Sequence, residues 1–379
     1  MVLLITAGCR LGFDNVDPAS SGDDQQGSGT GSGVMQLSCG SQRFVVGADL
    51  DGIAASPTSD GFVVTTVDSD GNVKGWSYTL DNGALTTKSQ NISLGTNGNG
   101  TVGIANTGNT LLVAAQNATG TTVSAVSATD LSLLAPPVAR TDFAGPVPLA
   151  SVGGTFAYVS QLGDTSIVLM ELDATGDEVG SPLTLTTMPD MAYSPTVVAG
   201  PNGYAVVYGG ANLDSGAAIA LYDTELTPLI APQTIEPDPS YYAEQPVLSY
   251  AATSNMYLVA WHQKDSMELD YVYARLLGPD FAPVGEPFEI AGDSNSASIA
   301  NDGTSFYLSY VTYDPAGVLP DRLVASQISS TGVVTPISIT GDGGTPAQWT
   351  FVQRNGQTLL VWQETGGTGP NLYFDPMCD

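Results

Sequence analysis

The chain has 379 residues, with 38 acidic against 9 basic side chains and a formal net charge of −29 at pH 7. Because nucleic acids and anionic membrane surfaces are bound by clustered cations, this charge argues against both as partners. Charged residues make up only 12% of the chain, whereas 44 Gly and 24 Pro are present, a composition that favours strands and turns over helices.

The first nine residues, MVLLITAGC, are apolar or small up to Ala7 and Gly8 and end at Cys9. This segment resembles a bacterial lipoprotein signal, in which small residues precede a cysteine that becomes acylated. The resemblance implies that residues 1–9 are a signal remnant and that Cys9 carries a lipid. The location it implies is the cell envelope of a Gram-negative bacterium, at the outer membrane or cell surface. No basic residue precedes the apolar run, which a translation start further upstream would explain; an apolar terminus with an incidental cysteine is the alternative.

Residues 10–33 are dominated by Gly, Ser, Asp and Gln. Such a segment has too few apolar side chains to bury a core, so we predict a disordered tether. A lipid anchor followed by a flexible tether is a coherent arrangement, and the tether therefore favours the anchor interpretation.

From residue 34 onward, one strand pattern recurs seven times. The most apolar strand of each unit carries an equivalent residue: Val64, Val113, Tyr158, Val206, Val259, Leu308 and Val361. Successive members are 45 to 53 residues apart, which is the length of a four-stranded propeller blade. We predict an all-β fold over residues 34–379, a seven-bladed β-propeller of four-stranded antiparallel blades.

The two ends of the predicted propeller complement each other. The seventh unit supplies only three strands, the last being NLYFDP at 371–376, and an unpartnered strand, QRFVVGA at 42–48, precedes the first unit. We predict that the N-terminal strand completes the seventh blade and closes the ring, which removes exposed sheet edges. This closure brings Cys39 near Cys378, so we predict a disulfide, which an exported compartment permits. Two free thiols are the alternative.

In residues 255–292 an apolar strand ends in Trp261, a later strand reads YARL, and a glycine turn precedes a strand with isoleucine. This segment resembles the repeats of exported propeller lipoproteins from myxobacteria and related Gram-negative bacteria. The resemblance implies the fold and the location. It implies no activity, because propellers host many functions.

Three features that suggest chemistry are explained more simply as structure. His262 is the only histidine, and we interpret it as a loop residue after the apolar strand of unit five. The segment DSDGNVKGW, which begins at Asp68, offers alternating oxygen ligands but lacks the glycine position of an EF-hand loop, so we predict a hairpin. Unlike in a sialidase, the arginines are predicted on outer strands or turns rather than on inner strands: Arg43, Arg140, Arg275, Arg322 and Arg354.

Six of the seven connections between units contain aspartate, and the seventh has Asn97 and Asn99. In a propeller these connections share a face with the loops between second and third strands. The candidate ligand or metal face comprises Asp49, Asp51, Asp142, Asp190, Asp238, Asp293, Asp342, Tyr193, Tyr241, Tyr242, Asp265, Glu268 and Asp270. Carboxylates beside tyrosines can hold Ca²⁺ or bind a sugar or a cationic protein segment. The alternative is that aspartate simply favours turns.

These observations predict a lipid-anchored propeller that acts as a non-catalytic binding, adhesion or scaffold module. The expected ligand is a glycan or a protein at the loop face, with no cofactor other than Ca²⁺, no nucleic acid, membrane contact through the lipid alone, and a monomeric state. The alternative is a glycan-active hydrolase or lyase, in which two carboxylates of this face serve as acid and base.

Overall fold

The computed structural model describes residues 34–36, 42–45, 50–68, 70–81, 84–95, 100–117, 119–141, 147–162, 166–186, 192–210, 217–235, 242–264, 270–313, 321–337, 339, 345–354, 357–365 and 371–377. Every regular element in these ranges is a β-strand. They accordingly contain no helix that is long and apolar enough to cross a membrane.

The strands, in chain order, are β1 (Val34–Gln36), β2 (Gln42–Val45), β3 (Leu50–Pro57), β4 (Gly61–Asp68), β5 (Val73–Asp81), β6 (Ala84–Gly95), β7 (Val102–Asn106), β8 (Thr110–Asn117), β9 (Gly120–Ser127), β10 (Val138–Arg140), β11 (Leu149–Val152), β12 (Thr155–Leu162), β13 (Ser166–Leu172), β14 (Glu178–Thr186), β15 (Ala192–Gly200), β16 (Gly203–Gly210), β17 (Ala217–Tyr222), β18 (Pro228–Thr234), β19 (Tyr242–Ala251), β20 (Met256–Lys264), β21 (Asp270–Leu277), β22 (Pro283–Gly292), β23 (Ser294–Asn301), β24 (Phe306–Thr312), β25 (Arg322–Ile328), β26 (Val334–Ile337), β27 (Thr345–Arg354), β28 (Gln357–Thr365) and β29 (Asn371–Pro376).

These strands form seven antiparallel sheets, which are the blades of a propeller. Blade 1 contains β3 to β6, blade 2 β7 to β10, blade 3 β11 to β14, blade 4 β15 to β18, blade 5 β19 to β22, and blade 6 β23 to β26. Blade 7 contains β27 to β29 together with β2. The predicted all-β fold with seven four-stranded blades is confirmed.

The first strand of each blade lies innermost. Each of these strands contacts the first strand of both neighbouring blades, in the series β3, β7, β11, β15, β19, β23 and β27. The last member, β27, contacts β3, so the series returns to its start. The seven blades therefore form a closed ring.

The ring is closed by the N-terminal strand, as predicted. β2 pairs antiparallel with β29, with Gln42 opposite Phe374 and Val45 opposite Asn371. A second pairing was not predicted: β1 adds to the outer edge of blade 1, with Val34 opposite Thr86, and makes that blade five-stranded. The N-terminal segment thus binds both blades that meet at the closure. The predicted Cys39–Cys378 disulfide, like Cys9 and the tether, lies outside the described residues.

The hydrophobic core is divided among the seven blade interfaces. One cluster of buried side chains lies between each pair of neighbouring blades. Because every second strand packs against two neighbours, its apolar run is buried on both faces, as the seven equivalent residues from Val64 to Val361 show with at most 1% exposure. At the closure, Phe62 and Tyr78 of blade 1 pack on Phe374 of blade 7, with ring centroids 5.0 to 5.7 Å apart.

Candidate functional site

The loops between second and third strands and the connections from each fourth strand to the next first strand lie on one side of the ring, here called the acidic face. Of its predicted residues, Asp270 begins β21 and Asp293 separates β22 from β23. Asp51, Tyr193 and Tyr242 lie in the innermost strands β3, β15 and β19. The other eight lie outside the described residues: Asp49, Asp142, Asp190, Asp238, Tyr241, Asp265, Glu268 and Asp342.

His262 and Asp270 form a hydrogen bond in the hairpin of blade 5. His262 lies in β20, is only 5% exposed, and its Nε2 is 2.6 Å from Asp270 Oδ1. Because an ionised carboxylate only accepts hydrogen bonds, Nε2 is the donor. The interpretation of His262 as a loop residue is wrong. His262 is still part of β20, where it pairs with Glu244 of β19 and Val272 of β21.

A tyrosine from the neighbouring blade completes the contact. Tyr313 follows β24 of blade 6, and its hydroxyl donates to Asp270 Oδ2. Burial raises the pKa of Tyr313 above its usual value, and the hydrogen bond to Asp270 with the negative charges of Asp270, Asp293 and Asp321 raises it further. The Tyr313 hydroxyl is consequently neutral at pH 7 and acts as a hydrogen-bond donor. Its bond to Asp270 joins blade 6 to blade 5.

Asp293 shapes the same corner through its main chain. Its φ is +49°, a left-handed conformation that Asp tolerates better than most residues, and its carbonyl accepts from the Tyr313 amide at 3.0 Å. We refer to His262, Asp270, Asp293, Tyr313 and Asp321 as the blade 5–6 cluster. One aspartate of the acidic face thus bonds to the Tyr313 hydroxyl, and the negative charges of two more act on it.

The innermost strands are irregular where they begin at the acidic face. A β-bulge interrupts pairing near the N-terminal end of β3, β15, β19, β23 and β27. At two of these bulges a non-glycine residue has a positive φ, Ser194 at 45° and Gln245 at 46°. Bulges change the direction of the following side chains and are frequent beside functional sites. Here they lie around the central axis of the propeller, at the end that faces the acidic face.

The segment that begins at Asp68 is a hairpin, as predicted, between β4 and β5. Asp68 Oδ1 accepts from the Asn72 amide at 2.9 Å, and Oδ2 is 2.9 Å from Lys74 Nζ. Burial raises the pKa of Asp68, but the hydrogen bonds from Lys74 and Asn72 outweigh it and the pKa is lowered overall. The ammonium group of Lys74 therefore lies beside the Asp68 carboxylate, where a calcium ion would have to bind. Across the described ranges, no group of three or more His, Cys, Asp or Glu is placed to hold a metal ion.

One arginine departs from the predicted placement on outer strands or turns. Arg354 is the last residue of β27, an innermost strand. Its guanidinium reaches across to blade 1, where Nε donates to the Thr58 carbonyl at 3.0 Å. This end of β27 is opposite the acidic face. Arg140 lies on an outermost strand as predicted, and its Nη2 donates to the Gly176 carbonyl of blade 3 at 2.7 Å.

Comparison with solved structures supports the fold alone. The Dos1 propeller is 12% identical with a TM-score of 0.50, covering 90% of this chain and 95% of that one. Kuenenia stuttgartiensis hydrazine synthase is also 12% identical with a TM-score of 0.50, covering 69% of this chain and 76% of that one. A thermostable family-43 glycoside hydrolase, at 10% identity, 61% and 88% coverage and a TM-score of 0.40, is too distant to inform activity. No protein-family model and no curated protein sequence matches the chain.

The blade 5–6 cluster was missed at the level of sequence apart from Asp270 and Asp293. The pairing of His262 with Asp270 has a signal, since the two residues flank a hairpin loop and are eight residues apart. Tyr313 is 43 residues from Asp270, and only the packing of one blade on the next brings them together.

Proposed function

We propose that the protein is a lipid-anchored β-propeller of the cell envelope that binds a glycan or a protein on its acidic face, as an adhesion or scaffold module. The observation that carries this proposal is the blade 5–6 cluster. Its carboxylates and tyrosine hydroxyl lie at the mouth of a rigid ring, where they suit sugar hydroxyls or cationic side chains.

The bonding of Asp270 favours binding over acid–base catalysis. Both of its carboxylate oxygens are already engaged, by His262 and Tyr313. A general acid or base must reach a proton on the substrate, and this carboxylate instead positions two neighbouring side chains. Asp293 and Asp321 are the carboxylates of the cluster that remain for contact with a ligand.

The experiment that tests this function is a glycan-array screen of residues 34–379, with release of reducing sugar measured on every bound glycan. We expect binding without release, and binding weakened at least about tenfold by Asp293→Asn, the loss expected for one charge-assisted hydrogen bond. Asp130→Asn, on the opposite face, is the matched control and should bind like the wild type. Sugar release that Asp293→Asn abolishes would instead establish the hydrolase alternative.

The location is tested separately through Cys9. We expect the protein, expressed from its own gene in its native host, to fractionate with membranes and Cys9→Ser to become soluble, because the lipid is the proposed membrane contact. Membrane fractionation that Cys9→Ser leaves unchanged would contradict the anchor while leaving the ligand face untested.

Calcium is tested by its effect on stability. If the aspartates of the acidic face hold Ca²⁺, EDTA should lower the melting temperature, because an ion that binds only the folded state stabilises it. An unchanged melting temperature would leave the face as a binding surface without a metal.

A further inference from the structure

Exposed aliphatic side chains recur in one region of the blades. Within the described ranges, six large apolar residues are 44% to 61% exposed. All six lie where the turn after a third strand leads into the fourth strand, in blades 2 to 6: Leu133, Leu134, Val179, Leu229, Val284 and Val333. These turns lie on the side of the ring opposite the acidic face. We call the six residues the aliphatic rim.

The turns before the aliphatic rim are formed by other residues. Asp223 Oδ1 accepts from the Glu225 and Thr227 amides at 3.1 and 2.6 Å, and Asp173 and Ser329 make the corresponding bonds in blades 3 and 6. Each turn also contains one residue with a φ between 61° and 87°: Leu131, Gly176, Leu226, Phe281 or Gly332. The fold therefore does not require apolar side chains at the rim.

The rim borders a cleft between blades 4 and 5. The cleft has a volume of about 610 Å³, within the range of about 300–1,000 Å³ typical of ligand pockets. Its apolar lining consists of Leu221, Leu229, Ile230 and Pro279, and Asn202, Asp223 and Asp280 complete it. Leu229 is 49% exposed, so the cleft continues directly into the rim.

The two carboxylates of the cleft carry uncompensated negative charge. Asp223 and Asp280 accept hydrogen bonds from main-chain amides, but no ion pair joins either of them to a lysine or arginine of the described chain. An apolar surface flanked by such carboxylates is complementary to aliphatic side chains next to cations. Anionic lipid is a poor match, because the surface potential of such a membrane repels carboxylates.

We propose that the cleft between blades 4 and 5 docks an extended segment of a partner protein, in which an aliphatic side chain lies between Lys or Arg residues. The aliphatic side chain contacts Leu229, Ile230 and Pro279, and the flanking cations contact Asp223 and Asp280. This leaves the acidic face free for its own ligand, so the propeller can join two molecules.

The test uses a fluorescein-labelled peptide of alternating Lys and Leu and the same peptide with Gly in place of Leu, measured by fluorescence anisotropy at about 0.15 M salt, where long-range attraction is screened. We expect the Leu peptide to bind at least ten times more tightly than the Gly peptide. Leu229→Ser should remove this preference, and Asp280→Asn should weaken binding of both peptides.

Val179→Ser is the matched control, because Val179 follows the turn residue Asp173 of blade 3 by the same number of residues as Leu229 follows Asp223 of blade 4. It is similarly exposed, lies outside the cleft and should bind like the wild type. Unchanged melting temperatures would show that all three variants are folded. Equal binding of the two peptides, or a Leu229→Ser variant that binds normally, would overturn the proposal. So would Leu229-dependent self-association or Leu229-dependent binding to phosphatidylcholine vesicles, since the occupant would then be a second copy or a membrane.

Discussion

Three arginines join neighbouring blades by donating to main-chain carbonyl groups. Arg140 reaches from blade 2 to blade 3, Arg275 from blade 5 to Ile235 of blade 4, and Arg354 from blade 7 to blade 1. A guanidinium has five donors in a rigid plane, so a single side chain can satisfy several carbonyl groups at a joint. In a chain with so few cations, these residues hold the ring together rather than binding anionic ligands.

Arg354 is expected to matter most, because it donates to the carbonyls of Thr58, Ser59 and Leu80 across the closure. We predict that Arg354→Ala lowers the free energy of unfolding by about 2–3 kcal/mol, the range for losing hydrogen bonds from a charged donor. Arg322→Ala, which removes an exposed arginine, should change it by no more than about 0.5 kcal/mol. Urea denaturation checks both values, and equal effects would contradict a special role for Arg354.

Tyr313 predicts a dependence of stability on alkaline pH. Its pKa is raised in the folded protein, so the fold favours the neutral phenol. This stabilisation is complete below the unfolded-state pKa of about 10 and is lost as the pH rises through the folded-state pKa.

We therefore expect Tyr313→Phe to cost about 1–3 kcal/mol at neutral pH, the price of leaving Asp270 without this donor. The difference from the wild type should shrink at about pH 11, because the tyrosine of the unfolded wild type, with a pKa of about 10, ionises there and favours unfolding. Urea midpoints at both pH values measure this, and the other buried tyrosines cancel in the comparison. If the difference in unfolding free energy stays constant or grows between the two pH values, the ionisation of Tyr313 is not coupled to unfolding.

At the scale of elements, the outermost strands differ in how their edges are protected. Prolines, which cannot donate to a further strand, occur at the outer edge of blades 2 to 6: Pro136, Pro137, Pro182, Pro228, Pro232, Pro283, Pro287 and Pro336. β6 in blade 1 has no proline, and it is the strand that β1 covers. The N-terminal strands therefore protect the two edges that flank the closure.

This protection predicts the effect of removing the N-terminal strands. Deleting residues 34–48 should leave the edges of β6 and β29 unpaired and cause aggregation, because an open edge is a template for another chain. Light scattering during heating measures the effect. Deleting residues 10–30, which lie within the predicted tether of residues 10–33, is the control and should leave the scattering unchanged. A 34–48 deletion that stays soluble would contradict edge protection.

Repetition explains how much of these elements could be predicted from the sequence. The second strands are recognisable because both of their faces are buried, so their apolar runs are continuous and recur at a regular spacing. β1 was missed because three residues with the sequence VMQ have no pattern of their own. The blade 5–6 cluster was missed because its members come from two blades, and the position of Tyr313 relative to Asp270 depends on packing that local patterns do not encode.

At the scale of the whole molecule, the closure resembles the other six blade interfaces. It has its own buried cluster, which joins Phe62 and Tyr78 of blade 1 to Leu372 and Phe374 of blade 7. What distinguishes it is that blade 7 is built from both ends of the described chain: β2 leads directly into β3 of blade 1, and the pairing of β2 with β29 holds β27 to β29 in the ring.

A disulfide between Cys39 and Cys378 remains our prediction for this closure. It would close a loop of more than 300 residues, for which chain-entropy estimates give roughly 5 kcal/mol, although measured gains are often smaller. We expect non-reducing peptide mapping of exported protein to show the linked peptides, and reduction to lower the melting temperature. Two free cysteines in exported protein would contradict it.

The short pairing of β1 with β6 has a mechanical consequence for a tethered protein. A pull from the N-terminal side reaches β1 first, and β1 is held over only three residues. If β1 peels away, the chain ahead of β2 can lengthen by up to about 3.3–3.6 Å for each residue released, while β2 remains paired with β29 and the ring stays shut. If the protein is anchored as proposed, β1 would yield under tension and form again when the tension ends, as an extensible link between the anchor and the ring.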